Sequence, residues 1–166
     1  MGSSVSLRFT GAIIASVILS FLLLLLPLPD EWLLWRPEWV ALTFIYWCLK
    51  LPKKISILLA WIAGLFIDVF YGSILGQHAL GMVIVVFMSL RLLPRLSIHI
   101  LWHQYALIFL VLGSYLLINL WIMAATGDNP ATWYYWLTLF SSLLVWPLYA
   151  WVMSFFHIER SRFDEF

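Results

Sequence analysis

Charge is what this 166-residue chain has least of: Asp, Glu, Lys and Arg together make up 10% of it, against about 25% in an ordinary soluble domain. Apolar residues reach 64% and the mean hydropathy is +1.01. No water-soluble fold of this size hides so much apolar surface. A soluble enzyme is excluded, and an all-α integral membrane protein is expected. The single cysteine, Cys48, excludes an internal disulfide framework. The net charge of +1, with no long basic run, excludes nucleic acid as a partner. G-x-S-x-G, H-E-x-x-H and Gly-rich phosphate loops are all missing. No catalytic set, cofactor or metal is expected, and the protein is read as a non-enzyme.

Long apolar runs are what the chain does have. A spanning helix needs roughly 17–25 apolar residues. Candidate runs lie at about 9–26, 37–51 (which is short), 55–71, 77–93, 102–125 and 130–156. The first follows Arg8 as a signal peptide would. It is longer than a usual signal core, and "PLPDEW" after it offers no small-x-small cleavage site, so it reads as a retained helix. Pro37 suits the first turn of the second helix, where its missing N–H costs nothing. Pro94 stops the fourth, and "GDNP" opens the sixth with Asn129 as N-cap. Residues 1–166 therefore form one polytopic membrane domain, with 157–166 as a short tail.

Six spans put both termini on one side, and charge picks that side. Arg8, Lys50, Lys53, Lys54, Arg91, Arg95, Arg160 and Arg162 share one face. The other holds Arg36 with Asp30, Glu31, Glu38 and Asp128. Eight basic residues against one make the first face, and both termini, cytoplasmic. Tryptophans at 32, 35, 39, 133 and 136 fall near the external face and Trp102 near the internal one. Each of the eleven tryptophans reads by default as an interfacial anchor.

One acid sits deep in an apolar stretch, Asp68 in "AGLFIDVFYGSILGQHALG". It lies about 20 Å along its helix from Ile55, toward the external end. A buried carboxylate needs partners. Gly72 and Gly76 permit a tight turn whose free N–H groups point back at it, and the start of the fourth helix adds donors. The favoured reading is a clasp for the hairpin of helices three and four. A proton or ion relay is the sharper alternative, but no second acid is read within a span to join Asp68. Direct partner binding is a third. Gly64, Asp68 and Gly72 also form a small-residue stripe, which predicts close packing against another helix of the chain or a partner.

The remaining polar groups carry less. His99 and His103 have helical ligand spacing but no further ligand, so two histidines do not close a zinc site. His78 reads as a hydrogen-bonding residue of the external hairpin. Pro147 removes the helical bond to Leu143 and should kink helix six, with Ser141 and Ser142 helping to satisfy freed carbonyls. Arg36, beside three acids, reads as a local salt bridge, or as a contact to a partner or headgroup.

These stretches carry a resemblance. "LPLPD" (26–30), "RPEWVALTFIYWCLKLPKK" (36–54), "GLFIDVFYGSILGQHAL" (64–80) and "VWP" (145–147) resemble MreD, the rod shape-determining family, in its proteobacterial form. The resemblance implies a bacterial inner-membrane, multi-pass component of the elongasome, which guides lateral-wall peptidoglycan synthesis. It implies work with MreC, a bitopic protein, with MreB filaments, and with RodA and a penicillin-binding transpeptidase. It implies a fold similar to the substrate-binding membrane subunit of ECF-type vitamin transporters, six helices around a cavity. Asp68, Gly72 and Gly76 fall in the family's signature hairpin, and Arg36 and Pro37 at its helix-two entry. A membrane scaffold is the leading expectation, with the Gly64–Gly72 face as a dock for the MreC helix. The runner-up is a small-molecule or lipid-binding subunit, and an intramembrane enzyme would need a second reactive group beside Asp68.

Overall fold

The structure, a computed structural model, describes residues 2–27, 29, 35–92, 101–127 and 133–158. Among them are six α-helices and one 3-10 helix, with no strand. These are α1 (Gly2–Leu25), α2 (Trp39–Lys50), α3 (Ile57–Tyr71), α4 (Gln77–Leu92), α5 (Leu101–Thr126), the 3-10 turn (Trp133–Trp136) and α6 (Leu137–Ile158). Pro94, Asn129 and the charged tail lie outside the described residues.

Local chemistry sets the helix ends. Ser56 caps α3, its hydroxyl accepting the Leu58 N–H at 3.1 Å, as an N-cap serine does. At the other end Gly72 takes the left-handed conformation (φ 62°). The Gly72 N–H reaches the Val69 carbonyl at 3.4 Å and the Ser73 N–H reaches the Asp68 carbonyl at 3.0 Å. This Schellman pattern satisfies the last carbonyls of α3. Pro37 does not enter α2. Glu38 is the N-cap, and Pro37 lies one residue before it, its carbonyl accepting from Trp39 at 2.9 Å.

α2 is the centre of the bundle. Val40 to Cys48 are all buried, as expected for a helix apolar on every side. It packs against α1, α4, α5 and α6, while α3 lies outside and packs on α4. Sparse polar side chains fasten the helices. The Trp47 Nε1–H donates to Ser16 Oγ at 2.7 Å, joining α1 to α2. The Thr43 and Tyr149 hydroxyls meet at 2.5 Å, joining α2 to α6. The Trp146 Nε1–H donates to Gln104 at 3.1 Å, joining α6 to α5. Such bonds between helices in lipid contribute about 0.6–2 kcal/mol each.

Three findings refine the expectations. First, two helices, over Trp102–Thr126 and Leu137–Phe155, are long and apolar enough to cross a membrane. The apolar parts of the other four, among them Trp39–Lys50 and Ile57–Tyr71, have 10–17 residues. At 1.5 Å per residue the 12-residue α2 rises only about 18 Å. Second, not every tryptophan is an interfacial anchor. Trp102 and Trp121 are exposed, but Trp47 and Trp146 are fully buried, because serine and glutamine partners occupy their indole N–H groups. Third, Ser141 and Ser142 do not serve the carbonyl freed by Pro147, which lies within α6. Both hydroxyls donate to the Thr138 carbonyl, at 3.0 and 2.7 Å. Ser142 Oγ also accepts the Glu38 N–H at 3.0 Å, tying the entry of α2 to α6.

Candidate functional site

The turn between α3 and α4 closes around Asp68, which is fully buried. Its Oδ1 accepts the His78 N–H at 2.8 Å, His78 Nδ1 at 2.8 Å and the Ser73 hydroxyl at 2.9 Å. Its Oδ2 accepts the Gly76 N–H at 2.8 Å and the Ala79 N–H at 3.4 Å. The main-chain donors belong to the start of α4 and the residue before it, where helical N–H groups have no partner of their own. A carboxylate only accepts, so Nδ1 is the protonated nitrogen of His78. Gly76 reaches its donating position with φ 103°, open to glycine and strained for other residues.

Gly64, one turn before Asp68, faces α4. A Cβ there would lie 2.7 Å from Ala79 N and 2.8 Å from His78 O. Of the two packing partners the stripe allowed, the glycine meets a helix of its own chain. That removes Gly64 as a dock for MreC: no surface remains there for a second protein.

Beside the hairpin is a cavity of about 420 Å³ bordered by Glu38, Tyr71, Ser73, His78, Tyr115, Asn119 and Tyr135, among others. Four elements build it: the N-cap of α2, the α3–α4 turn, the second half of α5 and the 3-10 turn. Gly81 of α4 lets Tyr115 in, since a Cβ at 81 would fall 2.6 Å from that ring. The Glu38 carboxylate interacts with the Tyr115 side chain and with the Arg36 charge. The Asn119 amide donates to the Tyr115 carbonyl at 3.0 Å, and its Oδ1 is buried without a partner.

Arg36 does not make the expected salt bridge among the described residues. Its Nη2 donates to the Leu23 carbonyl at 2.9 Å and its Nε is buried without a partner. The free carbonyls ending α1 hold the guanidinium, with Glu38 near enough to feel its charge; Asp30 and Glu31 lie outside the described residues. His103 is on α5, and His99 lies outside the described residues.

Sequence reasoning counted Glu38 only among the acids of the external face and assigned Asn119 nothing. The signal available for the cavity was spacing: Tyr115 and Asn119 are four apart, so they share one face of α5. Nothing local linked that face to Glu38, since the two meet only through the fold.

Polar groups turned inward, an exterior of exposed apolar side chains such as Leu144, Leu75 and Val69, and two helices of membrane-crossing length define a helical membrane protein. Residues 6–158 match the family of the rod shape-determining protein MreD, and the chain belongs to that family. It is 32% identical over 141 residues to the rod shape-determining protein MreD of Haemophilus influenzae, covering 81% of this chain and 83% of that protein. No solved structure matches. Family membership gives the chain a role in rod-shape determination, in a family of shape-determining proteins rather than known enzymes.

Proposed function

We propose that the chain is a multi-pass scaffold of the inner membrane that seats the single transmembrane helix of MreC. Through it the chain joins MreB filaments to the wall synthases RodA and a penicillin-binding transpeptidase. In this reading all six helices cross the membrane with both termini cytoplasmic, as the distribution of basic residues supports. The shorter spans are accommodated by tilt of their neighbours and local thinning of the bilayer. The likeness to the vitamin-transporter subunit rests on the family resemblance alone.

The observation behind the scaffold reading is an apolar groove between α1 and α3. It has a volume of about 370 Å³ and is lined by Val17, Ile18, Phe21, Ile62, Ala63 and Phe66, among others. One end is closed by Phe21, whose ring stands 6.3 Å from that of Phe66 and 5.8 Å from that of Phe70. α3 leans on α4 and leaves this side open along its length, so a foreign helix gains van der Waals contact there, the main attraction available in lipid. Ala63 is the small residue on the groove floor. Ala63→Trp fills it and should abolish co-purification with MreC while the purified chain stays monodisperse. Undiminished co-purification would exclude the groove. In a depleted rod-shaped host the same variant should fail to restore rods.

A second reading, a subunit that binds a small molecule or lipid, is favoured by the polar cavity.

A further inference from the structure

The cavity is unusual in which of its polar groups are already used. Four of its donors are spent internally: the Asn119 amide on the Tyr115 carbonyl, the Tyr135 hydroxyl on the Leu116 carbonyl at 3.4 Å, and the Ser73 hydroxyl and His78 Nδ1 on Asp68. Two of its acceptors keep capacity for a ligand. Asn119 Oδ1 is buried and unpartnered although Asn119 is only 1% exposed. Glu38 brings a carboxylate, which the Arg36 charge and the Tyr115 side chain also reach, and no described basic side chain lines the space itself apart from His78. A neutral His78 with its proton on Nδ1 has only a lone pair left on the other nitrogen. Three tyrosine rings, Tyr71, Tyr115 and Tyr135, complete the wall.

A buried acceptor without a donor costs free energy comparable to a lost hydrogen bond, so a ligand that brings donors and no further acceptors relieves it. A negative charge with aromatic rings around it selects a cation as well. We propose that this cavity is a binding site for a primary ammonium group, presented by an aminophospholipid headgroup or by a free small amine. Three N–H donors on one centre match Glu38, Asn119 Oδ1 and a remaining lone pair such as that of Ser73 or Tyr135. The position suits a group from the bilayer surface, because the cavity lies among helix ends: the start of α2, the α3–α4 turn and the last turns of α5. The site is independent of the α1–α3 groove and of whether MreC binds there.

The test uses the full chain in nanodiscs of phosphatidylethanolamine with phosphatidylglycerol, followed by native mass spectrometry, and ethanolamine titration of the detergent-solubilised protein. Phosphatidylethanolamine should stay bound in preference to phosphatidylglycerol and to phosphatidylcholine, whose trimethylated nitrogen has no N–H. Glu38→Gln, nearly isosteric, should weaken retention about tenfold or more, as expected when a charge-assisted hydrogen bond is lost. Asn119→Leu should weaken it severalfold. Ethanolamine should raise the melting temperature of the wild type and not of Glu38→Gln. Lipid carried through with no response to ethanolamine assigns the site to a headgroup; the reverse assigns it to a free amine. Equal retention of all three lipids with no ethanolamine response, or an affinity that Glu38→Gln leaves unchanged, overturns the proposal. Because both variants are compared with their own unliganded melting temperatures, a folding defect is separated from a binding defect.

Discussion

Replacing Asp68 by asparagine tests whether the hairpin is held by its carboxylate. The substitution keeps shape and one acceptor oxygen but converts the other oxygen to a donor. The less harmful orientation leaves Oδ1 facing His78 and Ser73 and turns the new NH₂ toward the Gly76 and Ala79 N–H groups, which sit 2.8 and 3.4 Å from Oδ2 in the wild type. The short bond from Gly76 is lost, and two donors confront each other. The three bonds at Oδ1 lose their charge assistance. Hydrogen bonds to a charged group contribute about 1.5–3 kcal/mol, against about 1 kcal/mol for neutral ones. Asp68 is fully buried, so solvent screening does not reduce the loss. The expected destabilisation is about 3–4 kcal/mol, or a fall in melting temperature of about 6–16 °C for a chain of this size. The assay is thermal unfolding of the purified protein together with amide exchange. Exchange at Gly76 and His78 should quicken about a hundredfold, while amides in the centre of α5 change little. An unaltered melting temperature with unaltered protection of Gly76 would refute the clasp. Melting temperature intact but function lost would point to the proton relay that the clasp displaces.

Other substitutions follow from the same geometry. Gly64→Leu should prevent α3 and α4 from closing and lower stability by about 3 kcal/mol or more. A second change, Ala79→Gly, should not rescue it in thermal unfolding, because the obstruction includes the backbone of residues 78 and 79. Gly72→Ala meets no neighbour but is forced to φ 62°, so it should cost only about 1 kcal/mol, read as a small fall in melting temperature. Ser142→Ala removes the acceptor of the Glu38 N–H and one donor to Thr138, and should cost about 1–3 kcal/mol, with faster exchange at the Glu38 amide. Trp47→Phe removes the indole donor to Ser16, whose hydroxyl keeps its own bond to the Ile13 carbonyl, and leaves space beside α1. It should destabilise by about 2–4 kcal/mol in the same thermal assay.

The hairpin was legible because everything it needs lies within a dozen residues: the acid, two glycines and the first N–H groups of the next helix. The cavity was not, because its walls come from residues as far apart as 38 and 135, and short-range patterns carry no information about which helix faces meet. Glu38 illustrates the difference. Its sequence neighbours are an arginine, a proline and an acidic loop, which read as solvent-exposed. Its spatial neighbours are tyrosines of α5 and the 3-10 turn, supplied by the way α2 sinks into the bundle. Trp47 and Trp146 misled in the same way: composition marks tryptophan for the interface, and only the fold shows that Ser16 and Gln104 accept its proton inside. The number of helices followed from the apolar runs themselves. Their lengths did not, since α2 is surrounded by protein and is not obliged to match the bilayer on its own.

That enclosed helix has a consequence for how the molecule is made. α2 leaves the ribosome second, but three of the four helices that surround it, α4, α5 and α6, come later. The bond that anchors its entry spans 104 residues and the one joining it to Tyr149 spans 106. Until α6 arrives, the face of α2 that meets it is uncovered, and neither Thr43 nor the Glu38 amide has its final partner. Assembly must therefore finish at its last helix, and a chain cut short before residue 137 would hold an unfastened hub for cellular quality control to find.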